Sequence, residues 1–334
     1  MQGIMSVSFL EVGHGDSIVI IYPDGITASV VDTPNSKITF DYLIENRVRH
    51  IDWIIISHGD MDHYKGISSL INNLINQGIS ISNLGYIRGD KNVKNEKGYN
   101  KLRRQFVVFE DIHGISTRAP YGNAGSILRN VDGMLIQSIY PYSPADVDYA
   151  KDEANDWSIV LMIEYYGRKV LLPGDLEGKG WFRLVKRCQK NKIDLHSDVF
   201  KLPHHGSWFS GGHESLSLGD VISLVNASVG VISLGQSERF VFPSIKTIKA
   251  LSQSPANPRI LCTGVGNSCH KGGIIETVPG SIKLGKSRYA NCNPCAGNIL
   301  VELTDTDLMI KPTEVDHDVI KSQLTNPLCC IHKE

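Results

Sequence analysis

No stretch of the 334-residue chain approaches the ~18 consecutive apolar residues that a membrane-spanning helix needs, so no span and no membrane partner are expected. Met1-Gln2-Gly3-Ile4-Met5-Ser6 lacks both a basic start and an apolar core, so no secretory leader is read there. Charge of one sign is missing too: 34 Lys and Arg face 35 Asp and Glu, a net charge of -1. That balance excludes a global attraction to nucleic acid or anionic lipid and confines any polyanion binding to a local patch. Seven cysteines, an odd number in a chain this long, argue against a secreted disulfide framework. Internal repeats and low-complexity tracts are also absent. A cytoplasmic globular protein is the resulting expectation, and 41% hydrophobic with 21% charged residues suit one.

The densest chemistry lies in Ser57-His58-Gly59-Asp60-Met61-Asp62-His63, directly after the apolar run Ile51 to Ile56. A β-branched, aromatic run that ends in imidazoles and carboxylates reads as a buried strand delivering metal ligands to a loop. Ile67, Leu70, Ile71, Leu74 and Ile75 then fall at helical spacing. Four potential ligands within six residues are too many for one ion held by a compact loop. His58 and Asp60 can serve one ion while Asp62 and His63 serve a second. Mixed imidazole and carboxylate ligation suits Zn, Mn or Fe.

The same arrangement recurs twice. Lys169-Val170-Leu171-Leu172-Pro173 leads into Gly174-Asp175, and Asp198 to Leu202 ends at Pro203-His204-His205-Gly206-Ser207. Strand ends are rigid mounts, which metal geometry requires. Upstream, Val7 to Val12, Ser17 to Tyr22 and Thr27 to Asp32 read as short strands separated by turn residues. Residues 85–150 are irregular and read as an insertion or variable region. Mixed strand and helix signals place the chain in the α/β (α+β) class.

These motifs, taken in order, resemble the metallo-β-lactamase superfamily, and more narrowly the hydrolase domain of ComEC-type competence proteins. Phe9-Leu10-Glu11-Val12-Gly13-His14-Gly15-Asp16-Ser17 resembles that group's opening strand and turn, Val31-Asp32-Thr33 its second motif, and Asn155-Asp156-Trp157-Ser158 its Asn/Ser stretch. The resemblance implies an αββα sandwich of two mixed sheets covered by helices, with two divalent metals at one edge. Residues 1–255 would be the hydrolase domain, and 256–334 a cysteine-containing extension completing the second sheet. Carried over, His58 and Asp60 would hold one ion, with Asn155 or Asp156 nearby and Ser158 supporting. Asp62, His63 and one of His204 or His205, with His204 favoured, would hold the second. Asp175 would bridge, and Asp32 would orient a ligand imidazole. Two departures stand out: His14 where members often carry Gln, and Phe242 where they often carry His.

Two cations about 3.5–4 Å apart, Mn or Zn, would activate a bridging hydroxide for attack on a phosphodiester. Asp62 or Asp175 would orient it, and His205 would give a proton to the leaving oxygen. The expected activity is therefore metal-dependent phosphodiester hydrolysis, DNA being the favoured substrate. A small phosphodiesterase for nucleotide or phosphocholine-type esters, or a non-catalytic binding subunit, are the alternatives. Between Arg88 and Arg104 seven cations face Asp90 and Glu96, so Lys94, Lys101, Arg103 and Arg104 become candidate substrate contacts, together with Ser207. Tyr99 and Phe106 could stack on bases there. By contrast, Arg183, Lys186, Arg187 and Lys190 read as the outer face of an amphipathic helix. Near the end, Cys262, Cys269, Cys292 and Cys295, with His270 spare, form a candidate structural zinc set.

Overall fold

The computed structural model describes residues 3–87, 96–122, 126–149, 154–235, 242–266, 269, 295–324 and 327–330. Short apolar runs separated by turns become strands β1 (Met5–Phe9), β2 (Ile18–Ile21) and β3 (Thr27–Val31), which pair antiparallel in sequence. Helix α1 (Ser36–Glu45) then crosses over to β4 (His50–Ile55), which lies parallel to β3. The Asn35 side chain accepts from the amides of Lys37 and Ile38, which satisfies backbone donors that the first helical turn would otherwise leave open. The expected ligand loop runs into the short α2 (Met61–Tyr64), which carries Asp62 and His63, and α3 (Ile67–Asn76) and β5 (Ser80–Gly85) follow. The Ile67, Leu70, Ile71 and Leu74 stripe is buried as its spacing predicts.

The 85–150 stretch is woven into the sheets rather than set apart from them. It supplies α4 (Glu96–His113), β6 (Ser116–Arg118), β7 (Ser126–Val131), β8 (Met134–Tyr140) and α5 (Pro144–Tyr149). A 3-10 turn (Ala154–Trp157) precedes β9 (Val160–Tyr165) and β10 (Arg168–Leu172), and α6 (Gly178–Asn191) leads to β11 (Val199–Lys201). The chain continues through α7 (Leu218–Val225), β12 (Val229–Ile232), α8 (Ile245–Gln253), β13 (Arg259–Cys262), β14 (Ile299–Leu303), β15 (Leu308–Lys311) and α9 (Glu314–Lys321).

Two mixed sheets result. The first runs β15-β14-β1-β2-β3-β4-β5-β6 and the second β13-β12-β11-β10-β9-β8-β7. Each joins an antiparallel meander to parallel strands connected by helices, as parallel pairing demands. Helices α1, α3 and α4 pack on the first sheet, and α6, α7 and α8 on the second, completing an αββα sandwich. The tail expected on the second sheet divides: β13 pairs with β12 there, whereas β14 pairs with β1 in the first, Phe9 opposite Ile299. No helix among the described residues is long and apolar enough to cross a membrane.

Candidate metal centre

Three strand ends meet at one edge of the sandwich. Beyond β4 the chain runs through Ser57 to Asp60; β10 ends at Pro173-Gly174-Asp175; β11 ends at the 3-10 turn Pro203–Gly206. The amide of Ile159 donates to Ser57 O at 2.8 Å, and that of His204 to Gly174 O at 3.3 Å, tying the loops together. Gly174 has φ +57 with its Cα facing Ser57 and Ser158, and a Cβ there would lie 3.0 Å from Ser57 Cβ. A side chain there would be strained by the φ and would crowd both serines, so glycine suits this close approach of the Asp175 backbone to the first sheet.

His58, His63 and Asp175 are buried and bring one ligand atom each within 4.8 Å of the others; a second such set is His14, Asp62 and His205, and a third is Asp16, Asp175 and His205. The Asp175 carboxylate reaches both histidine groups: its Oδ2 lies 3.3 Å from His63 Nε2 and 3.6 Å from His205 Nε2. Asp62 Oδ2 lies 3.3 Å from His205 Nε2 and 3.1 Å from His14 Nε2. The sets therefore differ from the sequence expectation, since His63 groups with His58 while Asp62 groups with His205. Asp60 stands at the N-cap of α2, outside these groups.

The backbone treats the two adjacent histidines differently, although His204 was the favoured ligand of the pair. His204 and His205 both adopt left-handed φ, 46° and 53°, a conformation that β-carbon sterics disfavour and that folded structure must impose. The turn sends His205 inward, 1% exposed, where its Nδ1 meets Ser233 O at 2.9 Å. His204 stays half-buried, its Nδ1 2.5 Å from Glu177 Oε1. Asn155 joins that pair, its Nδ2 lying 3.4 Å from both Glu177 Oε1 and His204 Nδ1. Asp156 serves elsewhere: its Oδ1 accepts from the amide of Gly180 and fixes the start of α6. Ser158 Oγ accepts from the amide of Asp175 at 3.3 Å.

Asp32, itself at φ 59, accepts from Ser57 N at 2.8 Å and Ser57 Oγ at 2.6 Å, and its Oδ2 lies 2.8 Å from His63 Nδ1. A carboxylate behind an imidazole holds the ring's orientation and points its other nitrogen into the site. Burial opposes charge on His63, but Asp175 and Asp32 hold its pKa well above the ordinary imidazole range. Burial, aided by the neighbouring His63, pushes His58 down to about 3. Asp175 lies well below the usual carboxylate range, because His63 and His205 outweigh its burial.

Asp16 and Lys201 were not singled out by sequence reasoning. Both are buried, and Lys201 Nζ contacts Asp16 Oδ2, lies 3.8 Å from Asp175 Oδ1 and donates to Gly174 O at 3.3 Å. A lysine inside an apolar strand was the available signal, because such a residue needs a buried partner. Its pKa is raised, Asp16 and Asp175 overcoming the opposing effect of burial. Glu177 and His14 are two further residues brought to the site. His14 stacks on Phe242, ring centroids 5.9 Å apart, beside His205.

The candidate substrate residues are scattered. Lys101 and Arg104 are exposed on α4, Arg103 is half-buried near Asn100, and Lys94 lies outside the described residues. Tyr99 and Phe106 are not available to bases, being 1% and 2% exposed and packed on Tyr64 and Tyr86. Ser207 follows the histidine turn and is half-buried. Cys262, Cys269 and Cys295 are buried, with Cys295 Sγ 3.3 Å from His317 Nε2; Cys292 and His270 fall outside the described residues.

Residues 11–218 match the metallo-beta-lactamase superfamily. Over 266 residues the chain is 24% identical to ComE operon protein 3 of Bacillus subtilis (strain 168), covering 74% of this chain and 30% of that protein, so it spans under a third of its relative's length. Among solved structures it is similar to human tRNase Z, short form, at TM-score 0.41 and 15% identity, covering 68% of this chain and 91% of that one. A diphosphatase from the PhnP family is similar at TM-score 0.34 and 14% identity, covering 65% and 71%.

Proposed function

The chain belongs to the metallo-beta-lactamase superfamily, and from that premise we propose that it is a metal-dependent phosphodiester hydrolase acting as a nuclease, with DNA the foremost substrate. One observation carries this reading. His58 Nε2, His63 Nε2, His205 Nε2 and Asp175 Oδ1 are buried and have no hydrogen-bond partner among the described residues. Charged neighbours stand at ion-pair distance from them without closing a hydrogen bond, and a buried group left without one costs about 1–3 kcal/mol, so four together at one point fit cation ligation. His58, His63 and Asp175 would hold one divalent ion, Asp62 and His205 a second, with Asp175 shared between them. The donor set, imidazole with carboxylate, suits Mn or Zn. Such ions acidify a water and neutralise charge gathering on phosphoryl oxygens when bound.

The chain's own residues supply the rest. Asp32 fixes the His63 ring, and Ser158 and Gly174 set the position of Asp175. His204 is the candidate proton donor to the leaving oxygen, in place of the expected His205. Glu177 at its Nδ1 orients the ring, and a half-buried position keeps the ring within reach of a substrate. Asn155 steadies the pair.

The test uses protein loaded with Mn or Zn and labelled single-stranded DNA, duplex DNA, RNA and a chromogenic phosphodiester, beside a His58→Ala/Asp175→Asn control. Metal-dependent DNA cleavage that the control abolishes supports the reading. Turnover of the small diester alone would replace the nuclease reading with a small-molecule phosphodiesterase.

A further inference from the structure

Beyond its first turn, α6 has no role in the chemistry above, yet it carries a row of cations. Arg183, Lys186, Arg187 and Lys190 recur at helical spacing on the face opposite the buried Trp181, Leu184 and Cys188. An outer amphipathic face would account for the spacing alone. It does not account for the cleft of about 420 Å³ that these four residues line together with Asp146, Phe182 and Glu214. Four cations there meet two carboxylates. Arg183 is bound to Asp146 at 2.7 Å. The Lys186 ammonium instead lies 4.1 Å from the Phe182 ring centroid, and the Arg187 guanidinium 4.8 Å from that of Tyr142. Aromatic faces position these cations without neutralising them. Among the described residues no ion pair engages Lys186, Arg187 or Lys190. In a chain of net charge -1, a cleft in which four cations outnumber two carboxylates is a local anion site.

Its placement ties it to the metal centre. Helix α6 begins at Gly178, three residues after Asp175, and Gly178 O accepts from Leu216 N at 3.0 Å in the loop that follows His205. Glu214 of that same loop forms part of the cleft wall. Two segments bearing candidate ligands thus frame the cleft. From Arg183 to Lys190 the row extends for about 10 Å at ~1.5 Å per residue, long enough for more than one phosphate.

We propose that this cleft binds the sugar-phosphate backbone of a nucleic-acid strand and leads it to the metal centre, a proposal that rests on the nuclease reading. The probe is a fluorescein-labelled 20-nucleotide single-stranded DNA, titrated by anisotropy onto the full chain in chelator, so that binding is read without cleavage. Lys186→Glu/Lys190→Glu is compared with wild type and with Lys246→Glu/Lys249→Glu, a charge-matched change at exposed positions of α8. The α6 variant should weaken binding at least about tenfold at low salt and flatten the slope of log Kd against log salt by about 1.4, at ~0.7 per phosphate contact. The α8 variant should bind like wild type, and unchanged melting temperatures would show that both variants fold. Equal losses in both variants, no loss in the α6 variant, or no binding by wild type would each overturn the proposal. Cleavage of DNA with unaltered binding by the α6 variant would keep the nuclease and discard the cleft. Strand binding through α6 with turnover of small diesters alone would keep the cleft and discard the nuclease.

Discussion

Replacing Lys201 with methionine is the sharpest test of how the centre is held. The ammonium is wholly buried between Asp16 and Asp175, and Asp16 is 1% exposed. Taking a charge out of water costs several kcal/mol per ion, and only the opposing charges offset it. Lys201→Met keeps most of the aliphatic volume, so little of its effect would come from packing. It strands the two carboxylates beside the histidines, and removing one partner of such a buried pair costs about 3–5 kcal/mol. Asp16→Asn should cost less, because Asp175 remains 3.8 Å from the ammonium and Gly174 O still accepts from it. The double variant removes both charges, so its loss should fall well short of the sum of the singles, a coupling of about 2–3 kcal/mol. Urea unfolding in chelator reads this directly, provided the slope with denaturant is unchanged. Adding Mn or Zn should return part of the Lys201→Met loss, because a cation beside Asp175 restores positive charge there. A single-variant cost below about 1 kcal/mol, with additive effects in the double, would refute the buried-triad account.

Three other outcomes follow from the same geometry. Metal analysis of His205→Ala should show loss of one bound ion relative to wild type, whereas His204→Ala should retain full occupancy and lose turnover; the reverse would restore His204 as the ligand. Tyr99→Ala should destabilise the chain by about 3–5 kcal/mol in urea, as loss of a buried aromatic does, and leave DNA affinity unchanged once folding is accounted for. Ser217 caps α7 in a reciprocal arrangement with Asp220, so Ser217→Ala should cost about 1 kcal/mol of stability by thermal or urea unfolding.

Local order along the chain was enough to place candidate ligands at strand ends. Backbone continuity forces His58 to follow β4 and Asp175 to follow β10, whatever the rest of the fold does. Hydrophobic periodicity likewise settled α3 and the mixed sheet-and-helix class, because burial of one face is a property of spacing. Partners distant in sequence were decided elsewhere. Lys201 meets Asp16 only because the two sheets stack and bring the β1–β2 turn over the end of β11. Which of the adjacent His204 and His205 turns inward depended on two left-handed residues, which the sequence does not announce. Tyr99 and Phe106 looked like exposed stacking platforms until α4 packed their rings into the core. By itself the sequence determined which residue types the strand ends present; the tertiary structure decided which of them converge, since convergence requires close approach between segments that no local rule relates.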